Sequence, residues 1–183
     1  MKRIYFFTMA CLLALCSEAA ELKLFDLPLL TASRSQVTSA IEGAGGRKIV
    51  GSKDSDKFNA AKIGLPGADV LEVIYLSDRL VLAQYIFPSN DRKQDERLRK
   101  MLTSKYGPPK GYERAAFEDQ FVADGKYRWS FDGGMELVYN REFFGVVYLS
   151  YVNKSEQNKL SKIVREADRE QADKEAQKKS NIF

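Results

Sequence analysis

The chain has 183 residues, with 29 Lys or Arg against 25 Asp or Glu, two cysteines and no histidine. The lack of histidine excludes Ser-His-Asp and Cys-His nucleophile arrangements and the usual zinc sites, and it removes the side chain that normally titrates near neutral pH. A net charge of +4 is too mild to argue for nucleic acid.

The first nineteen residues read as an export signal. Lys2 and Arg3 form a positive head, Ile4 to Leu15 is apolar apart from Thr8, and Ser17-Glu18-Ala19 places small residues at the third and first positions before a cut. The apolar run is shorter than the roughly 20 residues that span a bilayer. The expected layout is a signal at 1–19, a folded domain at 20–152 and a charged helix or tail at 153–183, in a periplasmic or secreted protein. Cys11 and Cys16 both fall in the signal, so the exported chain has no disulfide and no thiolate site. Leu13-Ala14-Leu15-Cys16 invites a lipoprotein reading, but Leu15 stands where such sites take a small residue, and anchoring is the weaker alternative.

Leu22 to Leu27 alternates loosely and suits a short first strand, ended by Pro28. Ser33-Arg34-Ser35-Gln36 has the form of a capping box, and Val37, Ala40, Ile41 and Ala44 recur at helical spacing, so a helix is expected over 34–42. Gly43, Gly45 and Gly46 stop it. A strand-rich stretch follows. Arg47–Val50 and Phe58–Ile63 are weak strands, and Val70–Leu76 is a strong one that turns at Ser77-Asp78-Arg79 into Leu80–Phe87. A second helix is expected over 91–106, capped by Ser89 or Asn90. Its apolar face is Leu98, Met101, Leu102 and Tyr106, and its charged face includes Arg92, Lys93, Asp95, Glu96, Arg99 and Lys100. Gly111 to Gly125 reads as a loop. Tyr127–Phe131 alternates, turns at Asp132-Gly133-Gly134 and returns through Met135, Leu137 and Tyr139. Gly145–Val152 is the last strand. Asn153 with Glu156 can cap a C-terminal helix whose apolar face, Leu160, Ile163, Val164 and Ala167, gives way to charge after Asp168.

The order is helix then three strands, twice, over 33–88 and 89–152. It predicts an α+β, two-layer fold: an antiparallel sheet of about six strands, helices on one face, a possible tandem α-β-β-β duplication, and a charged C-terminal helix. With Leu102-Thr103-Ser104-Lys105-Tyr106-Gly107-Pro108 between its two meanders, the chain resembles small periplasmic helix-plus-sheet proteins of proteobacteria. In layout these include BamE-like outer-membrane assembly factors and β-lactamase-inhibitory-protein-like modules. The resemblance implies a class of non-enzymatic binders or assembly accessories, and it assigns no functional residue.

Catalytic motifs are lacking. There is no Gly-x-Ser-x-Gly elbow and no Ser-x-x-Lys, and Gly43-Ala44-Gly45-Gly46-Arg47-Lys48 follows a helix where a phosphate loop precedes one. Glu113, Glu118, Asp119 and Asp124 offer carboxylates for glycosidase chemistry, and Asp54, Asp56 and Asn59 have the alternate spacing of a calcium loop without its bidentate Glu. Neither is specific, and no cofactor or metal site is read. The aromatics lead further. Phe143 and Phe144 occupy a turn where polar residues are the norm, with Tyr127, Trp129, Tyr148 and Tyr151 on neighbouring strands. The residues expected to meet a partner are Phe143, Phe144, Tyr148, Tyr151, Leu160 and Ile163. The partner is an envelope or exported protein, not nucleic acid, and the mature chain has no transmembrane segment. Alternatives are an inhibitor or immunity-type protein of an exported enzyme, and a small-ligand or lipid carrier.

Overall fold

Two side chains start the two helices that cover the sheet. Ser33 takes the amide of Gln36 on its hydroxyl (3.4 Å), while the Gln36 side chain accepts the Ser33 amide at 2.9 Å. That completes the capping box and opens helix α1 (Arg34–Gly43). Asp91 accepts from the Gln94 amide at 2.7 Å and opens α2 (Arg92–Tyr106). The cap is therefore Asp91 rather than Ser89 or Asn90, since a carboxylate there also suits the positive end of the helix dipole.

The structure, a computed structural model, describes residues 21–88, 91–113, 125–142 and 145–180, with 178–180 described by backbone alone. The signal segment, Phe143-Phe144, and Glu118, Asp119 and Asp124 lie outside the described residues. A two-residue hairpin, β1 (Lys23–Leu24) and β2 (Leu27–Pro28), precedes α1. Then come β3 (Arg47–Gly51), β4 (Ser55–Asn59), β5 (Val70–Leu76) and β6 (Arg79–Phe87). After α2 follow β7 (Gly111–Glu113), β8 (Gly125–Ser130), β9 (Met135–Arg141) and β10 (Val147–Asn153). A 3-10 turn at Asp132–Gly134 joins β8 to β9, and α3 (Lys154–Ser180) closes the described chain.

The strands form an eight-stranded antiparallel sheet in the order β3-β4-β5-β6-β10-β9-β8-β7. Each half is a helix followed by a four-strand meander, and the halves meet where β6 pairs with β10. The fold is α+β with an antiparallel sheet, as expected, but the sheet has eight strands rather than about six. The two additions to the repeat, β3 and β7, are its edges. Every residue of β3 is exposed, and β7 has three residues with none buried. Neither carries the alternation that marks a half-buried strand.

One face of the sheet carries the core. Phe58, Leu71, Val73, Tyr85, Leu137, Tyr139 and Leu149 lie on it with 0–1% exposure and pack beneath Val37 and Ile41 of α1 and Leu98 and Leu102 of α2. Burying each such side chain contributes about 1.5–3 kcal/mol. Trp129 Nε1 donates to the Gly107 carbonyl at 2.8 Å, which ties the end of α2 to β8. The expectation of helices on one face holds for α1 and α2 but not for α3. Capped by Asn153, which accepts from the Glu156 amide at 3.2 Å, α3 leaves the end of β10 and rests its first turns against β6. Its 27 residues span about 40 Å at 1.5 Å per residue. From Arg165 to Gln177 every side chain is exposed. Among the described residues no helix is long and apolar enough to cross a membrane.

Candidate binding face

Because strand side chains alternate, the sheet has a second face, and its register can be read rung by rung. One rung runs Ile74–Leu82–Val152–Glu136–Ser130, the next Glu72–Gln84–Ser150–Val138–Arg128, and the third Val70–Ile86–Tyr148–Asn140–Lys126. Neither α1 nor α2 packs on this face. Even so, Ser150, Val138 and Val152 near its centre are only 6–7% exposed. They lie in a hollow of about 530 Å³ that Lys154 and Gln157, at the start of α3, help to line.

The lining can hydrogen-bond across its whole width. At the seam between the halves, Gln84 Nε2 donates to Ser150 Oγ at 2.8 Å. Arg128 holds Glu113 at 2.8 Å and lies 3.6 Å from Glu136, which Lys154 approaches from α3 at 3.9 Å. Hydrogen bonding and charge from Arg128 keep the Glu113 carboxyl below the usual carboxylate range. Asn140 Nδ2 donates to Glu142 at 3.4 Å. On the first-half side the face is more apolar, with Val70, Ile74, Leu82 and Ile86 half-buried around the Lys57–Glu72 pair at 3.2 Å.

The structure separates the six residues read as partner-binding. Tyr148 lies on this face, half-buried and lining the hollow. Tyr151 does not. It is 7% exposed on the core face, with its ring centroid 6.4 Å from that of Tyr85, and burial pushes its phenol pKa well up. Leu160 is half-buried on α3, whereas Ile163 is 51% and Val164 50% exposed beyond the sheet. Phe143 and Phe144 lie outside the described residues. Tyr127 and Trp129 face the core.

Two charged clusters differ from the sequence reading. Asp56, a calcium candidate, is fully buried and already occupied. Arg34 reaches it with two nitrogens at 2.7 and 2.8 Å and Lys48 with one at 2.6 Å, while Arg34 also donates to the carbonyl of Ser52 at 2.7 Å. Burial pushes the Asp56 carboxyl up, but the hydrogen bonds from Arg34 and Lys48 outweigh it and hold the carboxyl below its ordinary range. Asp95, expected on the solvated face of α2, is 1% exposed. It pairs with Arg99 at 3.1 Å and lies 3.6 Å from Arg141 at the end of β9, and Arg99 goes on to donate to the Tyr127 hydroxyl at 3.1 Å. A signal was present: Asp95, Leu98 and Leu102 stand at i, i+3 and i+7, one face of a helix. Met101 makes the opposite departure, being 41% exposed instead of packed.

No family model, no curated protein and no solved structure matches this chain, so nothing links it to the BamE-like or β-lactamase-inhibitory-protein-like modules that its layout resembles.

Proposed function

We propose that the protein is an exported, non-enzymatic binding or accessory protein that acts by contact with another envelope or exported protein, and that the second face of the sheet receives that partner. The observation that carries this reading is the burial of Ser150, Val138 and Val152 on a face that α1 and α2 leave uncovered, within a hollow lined by Gln84, Asn140, Arg128 and Tyr148. A concave surface that mixes half-buried apolar side chains with paired charges is the composition of a protein-binding patch, with an apolar centre and a polar rim. Tyr148 is the anchor, since tyrosine gives large contact area together with a hydroxyl. The signal-like first nineteen residues support export.

A photocrosslinking side chain placed at position 148, compared with one at the exposed Lys93 on α2, tests the reading in cells. The expected result is a discrete adduct from 148 that is absent from 93. Tyr148→Ser then weakens recapture of that partner by about tenfold with the thermal midpoint unchanged. Equal adducts from both positions, or none from 148, overturn it. The partner's identity separates an accessory from an inhibitor.

A further inference from the structure

From Lys162 to Gln177 every side chain of α3 is exposed, and the stretch begins with two large apolar residues, Ile163 at 51% and Val164 at 50% exposure. A helical segment of this length is marginal in water by itself, and helices draw most of their stability from packing an apolar face. Leu160, Ile163, Val164 and Ala167 make such a face, at i, i+3, i+4 and i+7. A groove of about 460 Å³ runs beside it, with Glu156 and Lys159 of α3 on one bank and Leu30, Leu76 and Arg79 on the other. Glu156, Lys159, Ile163, Glu166 and Glu170 recur at alternating steps of three and four, so this side of the helix continues past the groove as one stripe.

We propose that the groove and the apolar face receive the same stretch of α3 from a second copy of this chain, running antiparallel in a two-fold symmetric dimer. The order of charge along the helix carries the choice of partner. From Lys154 to Arg165 there are four basic residues and one acidic, and from Glu166 to Glu175 five acidic and two basic. Two such helices side by side in parallel set like charge on like, whereas antiparallel each basic half lies on an acidic half. With Ile163 opposite Val164 of the other copy, Leu160 meets Ala167, whose small side chain allows close approach, and Lys159 meets the stretch from Glu166 to Glu170. Two-fold symmetry repeats each of these contacts, and a surface that complements itself in both shape of charge and apolar pattern is what a closed dimer requires.

The far bank of the groove suits the same guest. Leu30 is 39% exposed there and Leu76 half-buried, which gives apolar cover. Arg79 is exposed, spends one nitrogen on the Thr31 carbonyl at 2.7 Å and makes no ion pair among the described residues, so a cation is left for the acidic half of the second helix. Lys154 and Gln157, which line the hollow at Tyr148, lie on the opposite flank of α3, so the dimer leaves that face open.

Sedimentation of the purified protein over a concentration series tests this. The expected result is a monomer–dimer equilibrium. Ile163→Asp weakens it by at least about tenfold with the thermal midpoint unchanged, since the residue is exposed within one copy. Lys159→Glu weakens it about tenfold, as does Glu166→Lys with Glu170→Lys, and mixing these two charge-reversed proteins restores dimers, because every Lys then meets Glu again. A monomer at all concentrations, a dimer indifferent to Ile163→Asp, or a mixture no more associated than its two components each overturn the proposal.

Discussion

The two halves of the molecule share a layout and differ in what they bury. Each begins with a capped helix and runs through four antiparallel strands, yet the residue four places after the cap is Val37 in the first half and Asp95 in the second. Val37 is 0% exposed and packs in the core, whereas Asp95 is 1% exposed and meets two arginines. The first half keeps its own carboxylate, Asp56, near the sheet edge, where Arg34 and Lys48 reach it from the surface. The same scaffolding thus tolerates either an apolar plug or an ion cluster beneath a helix. A buried ion cluster adds little net stability over an apolar equivalent, but its geometry is far more selective. Charge at this position fixes how α2 sits on β8 and β9, the strands that also present Arg128 and Glu136 to the binding face. The half with the buried charge under its helix is also the half that supplies most of the polar lining.

The largest expected effect breaks that contrast directly. Asp95→Ala takes the carboxylate from Arg99 and Arg141 and costs about 3–5 kcal/mol. Val37→Ala costs about 2 kcal/mol, near the lower end for large-to-small core changes. Urea unfolding of both variants ranks them, and the reverse order would mean that the charges under α2 are not structural. Next comes Asp56. Its carboxyl titrates lower in the fold than in the unfolded chain, so the stability it contributes is present above the ordinary carboxylate pKa, about 3.9, and is lost as pH falls through the lower folded value. Acid titration of stability in Asp56→Asn shows a flatter profile below about pH 4 than the parent, and the substitution costs about 1.5–3 kcal/mol at neutral pH, the worth of hydrogen bonds to a charged group. The smallest effect compares the caps. Ser33→Ala and Asp91→Ala each cost about 1 kcal/mol. A markedly larger cost for Asp91 would show that α2 depends more on its start than α1 does.

Much of the fold was legible because it lives in local chemistry. Ser33 with Gln36 and the glycine stops placed α1 to within a residue, and the dense apolar run from Val70 to Phe87 marked the central hairpin. The edges were harder to see: β3 was legible only as the weak strand Arg47–Val50, and β7 falls in the stretch from Gly111 to Gly125 that reads as a loop, because both bury no residue and are strands only by pairing with a neighbour. The candidate site was legible in part. Tyr148 and Tyr151 stand three apart on one strand and must therefore face opposite ways. Assigning both to one surface ignored that alternation, and the structure puts Tyr151 in the core. Which of the two faces is left uncovered depends on where α1 and α2 settle, which no pattern within β10 encodes. The groove beside α3 depends on Leu30, Leu76 and a helix brought together from distant parts of the chain, and nothing local marks it.

The seam at Gln84 and Ser150 has a kinetic consequence. Every other ladder in the eight-stranded sheet joins strands that follow one another along the chain, while β6 and β10 join residues 66 positions apart. Closing that loop spends most of its entropy before any contact rewards it. Each meander can zip up by itself in short steps, and the two halves then wait on a single docking event for the continuous sheet. The costliest single step in chain entropy is therefore the closure of one strand pair at the middle of the molecule.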